Sequence, residues 1–379
     1  MIQCNPQNVT SASQDLVLTL QHAHRASCIV FSLLSQYRGE QAPRLTVEIW
    51  GAGSEPLYLS HDYVASTANE PCMKQWRIPP LFHPQMECRI HIRIPEGTVL
   101  ELIHYSAEYA SYTKAADPVV KWDAHLGFWG IAPENTMPAF LSAAQCGFDS
   151  CIVNPRRTKD GVFVCIHDKT INRTGRDAQG NPPAEPMAVA DMTYEELLQW
   201  DFGVHKDPIY RNVRIPKLED FFRVCAEHNM KPFFSTGSNR TVEDWKEIRR
   251  MLEKHRLLDK FQAKCHNKDP EGLPKLFSVF GNDLYGYTLW GMEWQPEMIE
   301  NLLAVGFDPS KVHGVIELLE TDDVRNFTPE IVDAVHNAGF RASALSCWGR
   351  KTGAYLQRLI DMGVSEFTED FHCSFELNW

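Results

Sequence analysis

From about Lys121 to Thr368 the chain alternates short apolar runs with segments of helical spacing, and this rhythm constrains the fold more than any other feature. The strand candidates fall at residues 121–125, 150–154, 231–235, 261–265, 284–289, 312–317, 341–346 and 366–368. Between most of them, apolar residues recur three and four apart, at 138–146, 193–200, 218–228, 242–254, 296–305, 329–338 and 353–362. Short runs that are apolar throughout suit strands buried on both faces, and the recurring spacing suits helices with one buried stripe. Eight such strands alternating with helices over roughly 260 residues predict an α/β fold, a (β/α)8 barrel of TIM type. In that architecture the chemistry sits at the C-terminal ends of the strands and in the loops that follow them.

The first hundred residues have another texture. Runs at 16–20, 28–34, 45–50, 74–78, 88–94 and 99–106 are β-type, and Arg89-Ile90-His91-Ile92-Arg93-Ile94 alternates polar and apolar at period two. Gly51-Ala52-Gly53, Pro79-Pro80 and Pro95-Glu96-Gly97 break these runs as turns do. The pattern predicts an antiparallel β-sandwich accessory domain over 1–114, then a barrel over 115–379, with Ala115-Ala116-Asp117-Pro118 as linker. A length of 379 residues accommodates both.

A net charge of −12 argues against non-specific binding to nucleic acid or to an anionic membrane, both of which are themselves negative. The most apolar early stretch, 27–34, is too short to span a bilayer, and no basic segment leads into an apolar one as in a secretory signal. The eleven cysteines show no paired spacing, which points to reduced thiols and a cytoplasmic setting. Cys151, Cys165, Cys265 and Cys347 lie in apolar runs as small core residues. Nothing in the sequence fixes the oligomeric state.

Two segments carry most of the chemistry. One is His125-Leu126-Gly127-Phe128-Trp129-Gly130-Ile131-Ala132-Pro133-Glu134-Asn135-Thr136, followed by Ala139-Phe140. The other is Thr158-Lys159-Asp160-Gly161, leading to His167-Asp168 and then Asn172-Arg173-Thr174-Gly175. They resemble the His-Arg-Gly…Pro-Glu-Asn-Thr…Ala-Phe and Thr-Lys-Asp-Gly…His-Asp…Arg-Thr signatures of glycerophosphodiester phosphodiesterases. Ile215-Pro216-Lys217-Leu218-Glu219 and Thr368-Glu369-Asp370 are similar to two further segments of that family, and the resemblance runs from about Trp122 to Phe371. It implies that His125 and His167 are the general acid and base, a role that suits a group titrating near neutrality. Glu134 and Asn135 are expected to brace the first loop.

The same resemblance exposes a departure. The family's metal carboxylates fall here at Ile152, Asn154 and Ser235. Its phosphate-binding lysine falls at Gly237, and the arginine after the first histidine at Leu126. Magnesium and calcium need hard anionic oxygens, so at most weak binding of either is expected. Arg156, Arg157, Arg173 and Lys159 are candidate replacements for the lost positive charge, and Asp168, Glu317, Glu369 and Asp370 are candidate carboxylates for substrate. His266 is a further candidate contact, and Phe128, Trp129, Trp290, Trp294 and Trp348 place aromatic faces at the expected mouth, suited to sugar rings or choline-like cations. Three functions follow: a phosphodiesterase with two-histidine catalysis and weak or no metal, acting on a small phosphodiester or a sugar-containing substrate; a glycoside-acting hydrolase or lyase on the same barrel; or a catalytically silent ligand-binding relative. Fold alone does not choose among them.

Overall fold

The computed structural model describes residues 5–6, 15–20, 28–63, 70–78, 87–110, 120–235, 240–269, 271–320, 326–345 and 358–369. Gly237, Trp348 and Asp370, singled out above, lie outside them, as does the linker 115–118.

Two antiparallel sheets precede the barrel. The larger has the order Asn5–Pro6, Asp15–Leu20, Glu87–Arg93, Arg44–Trp50, Pro56–Tyr63, and the smaller has Cys72–Ile78, Cys28–Arg38, Val99–Ala110. Every second residue of Arg44–Trp50 is buried, as period-two patterning requires of a sheet with one face on a core. Phe31 and Leu33 of the smaller sheet share that core with Leu45, Val47, Ile49, Ile90 and Ile92 of the larger. Pro56–Tyr63 was not anticipated. It opens on a proline and pairs on one side only, as an edge strand.

Eight parallel strands then close into a barrel: β1 Lys121–Ala124, β2 Ser150–Val153, β3 Lys231–Ser235, β4 Gln262–His266, β5 Gly286–Gly291, β6 His313–Leu319, β7 Arg341–Leu345 and β8 Glu366–Glu369, with β8 pairing back onto β1. Helices α1 Met137–Gln145, α2 Tyr194–Leu197, α3 Leu218–His228, α4 Val242–Lys254, α5 Gly272–Phe280, α6 Glu297–Ala304 and α7 Pro329–Asn337 fall between them. This is the expected α/β barrel, and each strand lies within two residues of its sequence-based position. Helix α5 was not anticipated; its Gly272 and Pro274 are poor helix formers, yet both sit in its first turn, where neither costs a hydrogen bond.

The barrel interior is partly polar, and the polar groups are matched across neighbouring strands. Gln262 Nε2 donates to Thr288 Oγ1 at 2.8 Å, and Ser150 Oγ donates to Asp123. Burial, then the charge of Glu366, pushes the Asp123 carboxyl up to about 8, so it is a neutral acid below that pH. Lys264 on β4 pairs with Glu317 on β6, whose other oxygen accepts from Thr368 Oγ1 on β8 at 2.6 Å.

The sheets and the barrel meet at Asp207. Its buried side chain accepts from the backbone N–H of Ala52 at 3.2 Å and of Gly53 at 2.6 Å, as well as from Ile209 N at 3.0 Å in its own loop. A Cβ on Gly51 would lie 2.8 Å from Asp207 Oδ2, so glycine is needed for this approach. Asp207→Ala removes the acceptor for three N–H groups and is expected to lower stability by about 2 kcal/mol in chemical denaturation. A loss indistinguishable from zero would mean that water satisfies the turn equally well.

Candidate active site

The first loop is built to hold His125 in place. Leu126 and Gly127 take left-handed conformations (φ 57° and 86°), which turn the chain sharply after β1. A Cβ on Gly127 would come 2.5 Å from Ala139 Cβ, so this glycine lets the loop lie directly on α1. Phe128 N donates to Ala139 O at 2.9 Å and Asn135 N donates to Leu126 O at 2.8 Å. The Asn135 side chain then accepts from Asn154 N at 3.1 Å, tying the loop to the end of β2. Asn135 is itself left-handed (φ 53°), a conformation asparagine tolerates better than most residues. The glycine, asparagine and alanine of the first motif therefore serve geometry.

His125 is half-buried beside Trp129, with ring centroids 6.2 Å apart in an edge-on arrangement. Burial, then the charges of Lys264 and His167, pushes its pKa down to about 3, with Glu134 and Glu317 pulling the other way. It is neutral near pH 7 and able to accept a proton.

His167 is exposed, with its side chain 52% accessible. Its Nδ1 lies 2.8 Å from Asp168 Oδ1. Arg173 Nε donates to Asp168 Oδ2 at 2.7 Å, and the two Nη atoms of Arg173 grip Glu134 at 2.7 Å each. Glu134, Arg173, Asp168 and His167 thus form one continuous chain running from the first loop to the second histidine. Burial alone would raise the Asp168 carboxyl, but the hydrogen bonds from Arg173 and His167 and their charges outweigh it and hold the group below its ordinary value.

The three positions where the resemblance places metal carboxylates differ in surroundings. Ile152 is buried, Ser235 half-buried, and Asn154 Oδ1 is buried with no hydrogen-bond partner among the described residues. No group of three or more His, Cys, Asp or Glu arranged to hold a metal occurs among the described residues. Asn154 and Ser235 line a cavity of about 470 Å³ together with His167, Arg156 and Arg157. Lys159 is exposed and outside that cavity. Glu317 is fully buried and engaged by Lys264 and Thr368, and Glu369 is buried with its carbonyl accepting from His125 N at 3.0 Å. Phe128 is core, 5.2 Å from Phe148, and Trp294 packs against the same core. Trp290 stands at the end of β5 against His266, their centroids 4.4 Å apart, and His266 Nδ1 accepts from Lys268 N at 2.9 Å.

Three residues near the site escaped the sequence reading. Lys264 is a buried charge within β4, which calls for a partner, and Glu317, already a candidate, is that partner. Arg240 precedes α4 and lines the cavity. His205, whose pKa burial pushes down to about 4, feels the charge of Glu134 from the loop before α3.

A closed parallel barrel with two histidines and a carboxylate–arginine network at one end places the chain in the class of (β/α)8 barrels that carry a polar site at the strand ends. Within that class, residues 125–278 match the model of the Glycerophosphoryl diester phosphodiesterase family. A glycerophosphodiester phosphodiesterase of Caldanaerobacter subterraneus is 35% identical over 104 residues, which is 27% of this chain and 40% of that protein. Glycerophosphodiester phosphodiesterase 1 of Homo sapiens is 30% identical over 115 residues, 29% of this chain and 32% of that protein. The matches thus span well under half the length of these relatives. An Oleispira antarctica phosphodiesterase, solved in complex with the product sn-glycerol-3-phosphate, superposes with a TM-score of 0.55 at 18% identity, covering 66% of this chain and 93% of that one, which shows a shared fold. Among the described residues no helix is long and apolar enough to cross a membrane.

Proposed function

We propose that the barrel hydrolyses a small glycerophosphodiester-like molecule through His125 and His167 without a tightly held divalent cation. The observation that carries this reading is the unbroken chain Glu134–Arg173–Asp168–His167, which fixes one imidazole whose charge a second, neutral imidazole feels. With Nδ1 of His167 held against Asp168, Nε2 is left to donate a proton to the leaving alcohol oxygen. His125 accepts a proton from the attacking water. A new P–O bond forms as the bond to the leaving alcohol breaks, giving a phosphate product and a free alcohol. Binding an anionic phosphate offsets the repulsion from Lys264 and His167 that weakens His125 as a base.

The donors at the family's metal positions do not fit magnesium or calcium. A buried aliphatic chain, a carboxamide and a hydroxyl offer no anionic oxygen, whereas these ions take several hard, mostly charged ones. The family match and the glycerol phosphate bound to the Oleispira relative support the substrate class. The division into an accessory domain over 1–114 and a barrel over 115–379 is part of the same proposal. So is a reducing compartment, in keeping with seven free cysteines among the described residues, six of them buried.

The test is hydrolysis of bis-p-nitrophenyl phosphate and of glycerophosphocholine, each with EDTA and with added magnesium. Turnover that persists in EDTA is expected. Turnover that appears only with magnesium would overturn the metal-independent part, and none under either condition would overturn the hydrolase reading.

A further inference from the structure

The cavity beside His167 is strongly cationic in a chain of net charge −12. Arg156, Arg157, Lys169 and Arg240 line it, against the single carboxylate of Asp244. Two of these charges are already engaged. Arg157 pairs with Asp244 at 2.7 Å and with Glu247 at 3.2 Å, and Arg156 Nε donates to His167 O at 3.0 Å. Arg240 differs. Its Nη2 donates to Pro155 O at 2.6 Å and its guanidinium lies 4.9 Å from the centre of the Trp245 ring, which fixes its position. Its Nε and Nη1 are buried and have no hydrogen-bond partner among the described residues. Burial lowers its pKa to about 10, so it remains charged near neutrality. Buried donors are nearly always satisfied, and leaving one empty costs about 1–3 kcal/mol. A held guanidinium with spare donors, in the wall of a roomy cavity lined by four cations against one carboxylate, calls for an oxyanion.

We propose that this cavity is a phosphate-binding site, with Arg240 as its inner anchor and Lys169 at its rim, and that it takes the phosphate group of a glycerophosphate-like ligand. The site deepens the hydrolase reading by providing, from side chains reached through β2, β3 and α4, positive charge that the family's missing lysine and carboxylate-bound cation do not. Its lining also includes the apolar side chains of Phe163 and Val189, which suit the carbon skeleton of such a ligand. A volume of about 470 Å³ is in the range of small-molecule sites.

Binding is tested on the full chain by calorimetry with inorganic phosphate and with sn-glycerol 3-phosphate at low ionic strength. Wild type should bind both and lose affinity as salt is added. Arg240→Met should weaken phosphate binding about tenfold or more, equivalent to at least about 1.4 kcal/mol. Lys169→Gln should weaken it by a smaller factor, and Lys246→Gln, on the exposed face of α4 outside the cavity, should leave it unchanged. Should Arg240→Met melt early, Lys169→Gln, with its exposed side chain, decides the matter. The proposal fails if wild type binds no phosphate, or if both cavity variants bind it as wild type does. Calorimetry reads phosphate binding with no turnover involved, so it is independent of the hydrolysis assay. Binding without turnover would therefore sink the hydrolase reading and leave this site standing.

Discussion

Lys264→Met is expected to cost the fold about 3–5 kcal/mol, and Lys264→Met combined with Glu317→Gln to recover most of that loss. Lys264 is 4% exposed and Glu317 is not exposed at all. The single variant leaves a carboxylate in the barrel interior with, among the described residues, only Thr368 to hydrogen-bond it. Removing one member of a buried pair is far more damaging than removing both, because the remaining charge keeps its desolvation cost and loses its compensation. Chemical denaturation of the two single variants and the double variant measures the coupling directly. A single variant within about 1 kcal/mol of wild type, or a double variant no better than the single, would show that the pair is not a coupled unit. The same substitution reaches the active site. Lys264 is the largest charge effect depressing His125, second only to burial, so the imidazole pKa should rise from about 3 part of the way towards its ordinary value near 6.5. NMR titration of the histidine ring carbons reads this. The sign for stability follows. Between about pH 3 and 6.5 the unfolded state binds the proton that folded His125 refuses, so stability rises with pH across that window. In a Lys264→Met background the window narrows and the acid limb becomes shallower.

How far the sequence could be read depends on what each signal encodes. Strands buried on both faces declare themselves through short runs rich in apolar residues, as at 151–153 in β2 and 232–234 in β3. Helices α3 and α4 declare themselves through a one-sided apolar stripe, and α4 also carries the Thr241–Asp244 capping box. The weaker signals belong to elements that rely on one neighbour. The edge strand Pro56–Tyr63 and the hairpin of Pro155–Arg157 with Phe163–Cys165 have too few buried positions to establish a period. For the site, motif order placed His125 and His167 at one end of the barrel, because strand order fixes which loops share a mouth. Motif order could not show that Arg173 bridges Asp168 to Glu134 across 39 residues, or that Arg240 turns inward while Arg157 is neutralised by α4. Those outcomes depend on rotamers and on distances between loops, which no local pattern specifies. Glu317 shows the converse limit: a carboxylate at a strand end suggests substrate contact, yet here a lysine two strands away holds it in the interior.

His167→Ala should lower phosphodiester turnover by about 10²–10⁴-fold, the usual contribution of a positioned general acid. The argument rests on the chain behind it. Asp168 fixes Nδ1 of the imidazole, Arg173 fixes both oxygens of Asp168, and Glu134, buried in the first loop, fixes Arg173. Asp168 and Arg173 touch His167 or its partner, so they act by positioning, and their variants should show a distinct kinetic signature. Arg173→Lys keeps the charge but cannot form the planar fork that meets two carboxylates at once. It should lower kcat by about tenfold with little change in KM, because the protonated imidazole is needed as the leaving alcohol departs. The pH profile separates this from mere loss of structure. The Asp168 carboxyl is held below its ordinary value, so its support for His167 is complete above that ordinary value and fades only as pH falls through the lowered one. Asp168→Asn removes the negative partner and should shift the acidic group of the kcat profile to lower pH, since a neutral amide supports the imidazolium less than a carboxylate does. If His167→Ala retains turnover within about threefold of wild type, or Asp168→Asn leaves the pH profile unmoved, the proton reaches the leaving alcohol by another path.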